Sequence, residues 1–149
     1  MSTRAIYTFY DSANEIHVYK HHDGYPYCKF PGGEGGGLVW INDAKAFAWD
    51  LPRFEADEFA ASFVKANKSV GGGIRLIANK EPLQSLPDCA YWYNVKAAVP
   101  ALDVWVDVYR VYFHFDSATA DDPKFENELI MSGALSELLT SERARMEVA

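Results

Sequence analysis

The sequence has few cysteines and no long apolar run, and each absence excludes a class of protein. Only Cys28 and Cys89 occur, without a CxxC pair, so a zinc or redox motif built on paired cysteines is excluded. No stretch of about 18 apolar residues is present, which argues against a transmembrane helix. The segment MSTRA leads into an alternating pattern without an apolar signal region. We therefore expect a cytoplasmic protein with two free thiols, since the cytosol is reducing.

Basic residues are also scarce. The chain has 14 Lys and Arg against 21 Asp and Glu, which gives a net charge of -7. Binding to nucleic acid or to an anionic membrane requires clustered Lys and Arg, and the longest basic feature is Arg143-Ala144-Arg145. We therefore expect no nucleic-acid partner and no membrane partner. The acids are spread along the chain, so the acidity mainly predicts solubility.

Aromatic residues, by contrast, are abundant. They make up 15% of the 149 residues, and hydrophobic residues as a whole make up 49%. Aromatic side chains bury a large area per residue, and a chain of this length can enclose a substantial core. The composition therefore predicts one globular domain over residues 1–149 and argues against disorder.

Alternation of apolar residues predicts a β-hairpin at the start of the chain. Residues 5–10 and 15–20 form its strands, and Tyr10 lies opposite Glu15. In this register one face is apolar, with Tyr7 opposite Val18 and Phe9 opposite Ile16. Such alternation is typical of a sheet with one covered face.

The rest of the chain contains signals for both helices and strands. Helical spacing of apolar residues predicts helices over 38–49 and 55–67 and one or two helices over 123–146, with Phe125, Leu129, Leu135, Leu138 and Leu139 inward. Strands are predicted over 73–78, 90–97 and 102–115. The apolar parity of the last strand changes near Tyr109 and Arg110, which indicates a bulge or a bend. The order ββααβββα predicts an α+β fold, with a mainly antiparallel sheet of about five strands and helices packed on one face.

Three segments carry a resemblance to a known family. RAIYTFYD (residues 4–11), HVYKHHDGYP (17–26) and WDLPRFEADEFAASFVKANK (49–68) resemble an uncharacterised family of small bacterial and prophage-encoded proteins. Members begin with a strand pair, a "YKH-DGYP"-like turn and a helix pair, so the resemblance covers residues 4–77. It implies a small accessory protein and transfers no activity. The half of the chain after residue 79 rests on pattern alone.

The histidines in and before this turn raise the question of a metal site formed by His17, His21, His22 and Asp23. Residues four apart on a strand lie about 13 Å apart at roughly 3.3 Å per residue, so His17 and His21 cannot share an ion. His22 and Asp23 could converge only if the chain turns at His21. Asp-Gly followed by Tyr-Pro is explained as backbone turn chemistry, and we predict no metal and no cofactor.

Two further motifs are incomplete. Cys28 lies six residues after His22 and could form a Cys–His dyad, but no third group is marked to orient it. The segment PGGEGGG (31–37) has the glycine spacing of a phosphate-binding loop, yet Leu38 and Val39 stand where Lys and Ser or Thr are required. We interpret the first as a small apolar side chain and the second as a flexible loop before a helix.

Two functional hypotheses follow. The first is a small non-enzymatic accessory or interaction protein that acts through an aromatic and acidic surface, as a homo-oligomer (a homodimer) or with a protein partner. It rests on the aromatic residues within 25–30 and 91–93. It also rests on the predicted strand 102–115, because strands usually have only about five or six residues. The alternative is a small enzyme or ligand-binding domain. Its site would combine groups suited to acid–base chemistry, namely His21, His22, Asp23, Tyr25 and Tyr27.

Overall fold

A computed structural model describes residues 3–22, 24–27, 36–49, 51–68, 73–78, 89–98, 103–114 and 124–148. These residues form an α+β fold with six strands and three α-helices. The strands are β1 (Ala5–Tyr10), β2 (Glu15–Lys20), β3 (Ile74–Ile77), β4 (Tyr91–Ala98), β5 (Asp103–His114) and β6 (Lys124–Ala134). The helices are α1 (Gly37–Lys45), α2 (Ala56–Asn67) and α3 (Leu135–Val148), with a 3-10 helix at Leu51–Arg53.

The six strands form one mixed sheet in the order β3-β2-β1-β4-β5-β6. All neighbours are antiparallel except β1 and β4, which run parallel with Ala5 beside Tyr91. Parallel neighbours need a long crossover, and α1, α2 and β3 lie in the chain between them. The predicted α+β class and mainly antiparallel sheet are confirmed, with six strands in place of about five.

The N-terminal hairpin has the predicted register, with Tyr10 opposite Glu15 and Tyr7 opposite Val18. Its turn is fixed by Asp11, whose carboxylate accepts hydrogen bonds from the backbone N–H groups of Ala13 and Asn14 at 2.7 Å. The same carboxylate accepts the N–H of Ala56, the first residue of α2, also at 2.7 Å. These N–H groups, that of Ala56 most strongly, lower the pKa of Asp11. One side chain therefore both closes the hairpin and positions the start of α2.

The helices pack on one face of the sheet, as predicted. Helix α2 begins within one residue of the predicted 55–67. Helix α1 ends at Lys45, short of the predicted residue 49, and Phe47 beyond it is exposed. The core beneath the helices joins fully buried side chains of the sheet and of all three helices: Tyr7, Phe9, Val18, Leu38, Ile41, Phe63, Tyr93, Val106 and Leu135. A fully buried side chain of this size stabilises the fold by roughly 1.5–3 kcal/mol. Within the described ranges, no helix is long and apolar enough to cross a membrane.

The C-terminal region differs from the prediction. Residues 124–134 form strand β6, and the helix begins only at Leu135, although helix was predicted from residue 123. The four-residue spacing of Phe125 and Leu129 suits a helix, but β5 offers an edge that pairs with β6 from Trp105 to His114. Tertiary pairing therefore overrides the local pattern. Leu129, predicted to face inward, is exposed, whereas Leu135 is buried and Leu138 and Leu139 pack against the core.

A β-bulge occurs where the parity of β5 changes. Val108 pairs with Met131 and Tyr109 pairs with Leu129, so the register shifts by one residue between them. The extra residue, Ile130, lies on β6. The bulge predicted near Tyr109 is confirmed, and the structure places its additional residue on the neighbouring strand.

Candidate functional site

The first candidate is the turn after β2, which carries the predicted site residues. The backbone N–H of His21 donates to the carbonyl of Gly73 at 2.8 Å, and His21 Nδ1 lies 2.6 Å from the hydroxyl of Tyr19. The ring of His22 meets that of His21 edge-on, with 4.6 Å between centroids. Burial lowers the pKa of His21, and the nearby charges of Arg4, His22 and Arg75 lower it further. The two histidines are thus brought together, with His21 tied to Tyr19.

The backbone of the same turn caps helix α1. The carbonyl of Tyr25 accepts the N–H of Gly37 at 2.7 Å, and the carbonyl of Pro26 accepts the N–H of Leu38 at 3.2 Å. Helix N-termini need such acceptors because their first N–H groups have no partner inside the helix. These two donors, which an anion at this terminus would use, are therefore already engaged.

Tyr93 of strand β4 contacts both the turn after β2 and helix α1. Its hydroxyl donates to the carbonyl of Gly24, and its ring lies so close to Gly37 that a Cβ there would be 2.2 Å from the ring. Gly36 has φ +97°, in the left-handed region that favours glycine, and faces the backbone of Tyr27. The turn is therefore built into the fold through its backbone. Tyr25 and Tyr27 are half-buried there.

Several other sequence candidates receive no structural test. Asp23, Cys28, Phe30 and residues 31–35 lie outside the described residues, and with them the Cys–His dyad and most of the glycine-rich segment. In the part of the chain that is described, no group of three or more His, Cys, Asp or Glu side chains could hold a metal ion. Cys89 is buried.

A second candidate lies on the sheet face opposite the helices, here called the second face, which carries Thr8, His17, Trp92, Asp107 and Tyr109. The indole N–H of Trp92 donates to Thr8 Oγ1 at 2.8 Å, and Thr8 Oγ1 lies 2.8 Å from His17 Nδ1. Thr8 Oγ1 therefore accepts the Trp92 indole N–H and also shares a hydrogen bond with His17 Nδ1, whose direction depends on the tautomer of the imidazole. The other ring nitrogen, Nε2, lies 3.8 Å from Glu15 Oε1. A continuous hydrogen-bonded chain thus crosses β4, β1 and β2.

The order hydroxyl, imidazole, carboxylate is that of a catalytic triad, but this one cannot attack a substrate. Thr8 is 0% exposed and its oxygen is occupied by Trp92, while His17 is only 5% exposed. Burial lowers the pKa of His17 and Glu15 opposes this only in part, so the imidazole is a weakened base. The chain Trp92–Thr8–His17 is therefore a buried structural network.

Asp107 forms a smaller polar group on the second face. Its Oδ1 accepts hydrogen bonds from the indole of Trp105 at 3.1 Å and from the hydroxyl of Ser132. Burial raises the pKa values of Tyr10 and Tyr109, and the charge of Asp107 raises both further. Beside this group, the hairpin turn and Asn94 line an open depression of about 390 Å³. Its wide, polar shape is unlike the enclosed apolar cavity of a small-molecule site.

The third candidate is at the far edge of the sheet. The ladder between β5 and β4 ends at Arg110, with one further hydrogen bond from the Val111 N–H to the Ala90 carbonyl at 2.9 Å. Among the described residues, β5 then continues with β6 alone. We call residues 111–114 of β5 and 124–130 of β6 the arm. Five successive residues of its outer strand, Glu126 to Ile130, are exposed. Leu129 is 52% exposed, Ile130 43% and, on the inner strand, Tyr112 40%. Tyr112 donates its hydroxyl to Glu128 Oε2 at 3.2 Å.

Outside the arm, the exposed large apolar side chains of the described residues are Leu76 on β3, which is 71% exposed, and Phe47 and Trp49, which each lie under a cation. Tyr112 of the arm also lies under a cation, with the Arg110 guanidinium 5.5 Å from its ring centre. The guanidinium of Arg53 lies 4.9 Å from the ring centre of Trp49, and the ammonium of Lys65 lies 6.0 Å from that of Phe47. The aromatic segment 91–93 is not an exposed surface, since Tyr93 is fully buried and Tyr91 and Trp92 are half-buried. In the described residues, the arm is the place where exposed apolar, aromatic and acidic side chains occur together.

Comparison with known proteins adds no relative: no family model, no curated protein and no solved structure matches the chain. The site must therefore be judged on its own geometry. The arm was not predicted from the sequence, because residues 124–134 were predicted to be helical. The available signal was the length of β5, which indicated a strand that extends beyond its neighbours, together with Glu126 and Glu128 at a spacing of two.

Proposed function

We propose that this chain is a small non-enzymatic interaction protein that binds a protein partner through the arm. The observation that carries the proposal is the run of exposed residues on the outer strand, with Leu129 and Ile130 beside Glu126 and Glu128. An exposed edge strand with apolar side chains invites aggregation unless a partner covers it. Tyr112 adds an aromatic group of the kind that anchors interfaces.

Two features of the other candidates support a non-enzymatic role. The hydroxyl of Thr8 is buried and occupied, so the triad-like network offers no nucleophile to a substrate. The turn at His21 and His22 uses its backbone carbonyls at Tyr25 and Pro26 to cap α1. A small enzyme or ligand site at residues 21–27 is therefore less well supported. An accessory role also agrees with the resemblance to small prophage-encoded proteins.

The test is site-specific photocrosslinking in the cells that natively express the protein. A photoreactive phenylalanine derivative replaces Tyr112 in one variant and Phe47 in a control, since both side chains are substantially exposed. We expect a discrete adduct from position 112 and none of the same mass from position 47. The double substitution Leu129→Ser with Ile130→Ser should abolish the adduct without loss of folding. Equal crosslinking from both positions, or none from either, would contradict the proposal.

A further inference from the structure

The two edges of the sheet differ in what they offer an incoming strand. At one edge β3 has only four residues, and Arg75 lies over the ring of Tyr19 at 5.8 Å. At the other edge β6 has eleven residues and no strand on its outer side among those described. Short edge strands are poor templates for added strands, whereas a long edge presents a row of N–H and C=O groups. An added strand would therefore use β6.

The pairing register assigns the exposed side chains of β6 to two faces. Glu126 pairs with Tyr112 and Glu128 pairs with Arg110, so both glutamates lie on one face of the arm. Asn127 and Leu129, paired with Val111 and Tyr109, lie on the other. A strand added to this edge meets carboxylates on one face and, on the other, an amide and an exposed leucine.

The bulge limits the length of this edge. Ile130 is the extra residue between the pairs Val108–Met131 and Tyr109–Leu129, and bulges interrupt regular pairing. The regular part of the outer strand therefore runs from residue 124 to residue 129. Such a segment accommodates one strand of the usual length of about five or six residues.

In the registers centred on Asn127 or Glu128, a second copy of the chain fits this edge poorly. If two β6 strands pair antiparallel about Asn127, Glu126 lies opposite Glu128 twice; if they pair about Glu128, the two Glu128 side chains face each other. Like charges directly opposite on neighbouring strands are destabilising. Each chain also carries a net charge of -7. Charge complementarity therefore favours a basic partner over a homodimer at this surface.

We propose that the outer edge of β6 binds a strand of a partner protein by β-sheet addition, and that this strand alternates Lys or Arg with apolar residues. Main-chain hydrogen bonds to residues 124–129 provide the affinity, and the alternating side chains provide the specificity. The basic residues lie opposite Glu126 and Glu128, and the apolar ones contact Leu129. This inference rests on the proposed function and specifies the partner's chemistry and geometry.

The test uses three synthetic peptides: Ac-KVKVKV-NH2, the same residues rearranged as Ac-KKKVVV-NH2, and Ac-KVKVKV-NH2 with all its backbone amides N-methylated. Amide hydrogen exchange and ¹H–¹⁵N chemical shifts of the full chain are followed on titration. We expect the alternating peptide alone to protect amides of residues 124–129, because the others lack the alternation or the backbone donors. Binding of the N-methylated or rearranged peptide with equal affinity would overturn strand addition.

A pair of variants tests the charges. Glu126→Gln with Glu128→Gln should weaken binding of the alternating peptide roughly tenfold, as expected for the loss of two cross-strand charge pairs. Asp57→Asn with Glu137→Gln makes the same change in net charge on helices, and should leave the affinity unchanged. Equal weakening by both pairs would overturn the assignment to Glu126 and Glu128.

Two outcomes separate this inference from the proposed function. A crosslinked adduct from position 112 with no protection of β6 by any peptide overturns strand addition and leaves the interaction function standing. Sedimentation equilibrium that shows a dimer dissociated by the Leu129→Ser and Ile130→Ser substitutions overturns the basic partner, because a second copy then covers the edge. A monomer whose β6 amides are protected by the alternating peptide alone supports the inference.

Discussion

The two faces of the sheet bury neighbouring residues of one strand in different ways. Tyr7 and Phe9 point toward the helices, where the ring of Tyr7 stacks on that of Tyr93 with centroids 4.6 Å apart. Thr8, between them, points to the second face and is equally inaccessible, but it is held by hydrogen bonds to Trp92 and His17. Burial alone therefore does not reveal what stabilises a position. Tyr7 and Phe9 are stabilised by apolar contact, whereas Thr8 is stabilised by hydrogen bonds within a face that also has an apolar cluster around Ile6.

The largest expected effect is on the helix-covered face. Phe63 of α2 contacts the rings of Tyr7 at 4.6 Å and Phe9 at 5.3 Å. Phe63→Ala removes these contacts and leaves a cavity, so we expect the free energy of unfolding to fall by about 3–5 kcal/mol, measured by urea denaturation. Phe47→Ala, at an exposed ring, is the matched control and should change it by no more than about 0.5 kcal/mol. Similar losses in the free energy of unfolding from both variants would contradict the expected role of apolar burial on this face.

A smaller loss is expected on the second face. Thr8→Val keeps the shape of the side chain but leaves the Trp92 N–H without its acceptor and His17 Nδ1 without its hydrogen-bond partner. We expect destabilisation of about 1–3 kcal/mol in the same urea experiment, since buried polar groups are left unpaired. Thr8→Ser retains the hydroxyl and should cost less. If Thr8→Val were neutral, apolar packing rather than hydrogen bonding would hold this face.

The smallest effect expected is a dependence of stability on pH. Burial lowers the pKa of His17 in the folded protein below its ordinary value of 6.5, so the unfolded chain binds the proton more readily. The contribution of neutral His17 is therefore complete above about pH 6.5 and is lost as the pH falls through the lowered pKa. Urea denaturation at several pH values between 7.5 and 5 should show declining stability.

A substitution separates His17 from the other histidines. In His17→Gln the decline should be shallower, because the buried imidazole that resists protonation is absent. An unchanged pH dependence in His17→Gln would mean that protonation of other groups controls the stability in acid. The burial of His17 on the second face would then not make the free energy of unfolding sensitive to pH.

Local patterns in the sequence predicted the elements whose partners lie nearby. The hairpin register follows from the alternation of Tyr7, Phe9, Ile16 and Val18, and α2 follows from its apolar stripe. Strand β6 was predicted as helix because these residues form a strand only by pairing with β5. The local spacing of apolar residues over 124–134 does not reveal that pairing. Pairing between distant segments outweighs intrinsic propensity there.

The candidate sites also divide into local features, which the sequence predicted, and features formed by distant residues, which it did not. Within the predicted turn of Asp-Gly and Tyr-Pro, Asp23 lies outside the described residues, and the carbonyls of Tyr25 and Pro26 cap α1. The network of Thr8, His17 and Trp92 could not be predicted, because Trp92 reaches Thr8 only through the parallel pairing of β1 with β4. That register involves residues more than eighty positions apart, and no local period encodes it.

The parallel pairing of β1 and β4 also has a consequence for the order in which the sheet forms. On one side β1 pairs with β2, which follows in the chain after a short turn. On the other side β1 pairs with β4, where Ala5 lies beside Tyr91, far along the chain. Closing so long a loop is entropically more costly than forming a hairpin, and distant pairings slow folding. We therefore expect two local sections to assemble first, β1-β2-β3 with α1 and α2, and β4-β5-β6 with α3. The pairing of β1 with β4, where Tyr7 stacks on Tyr93 and Trp92 donates to Thr8, is then expected to form last.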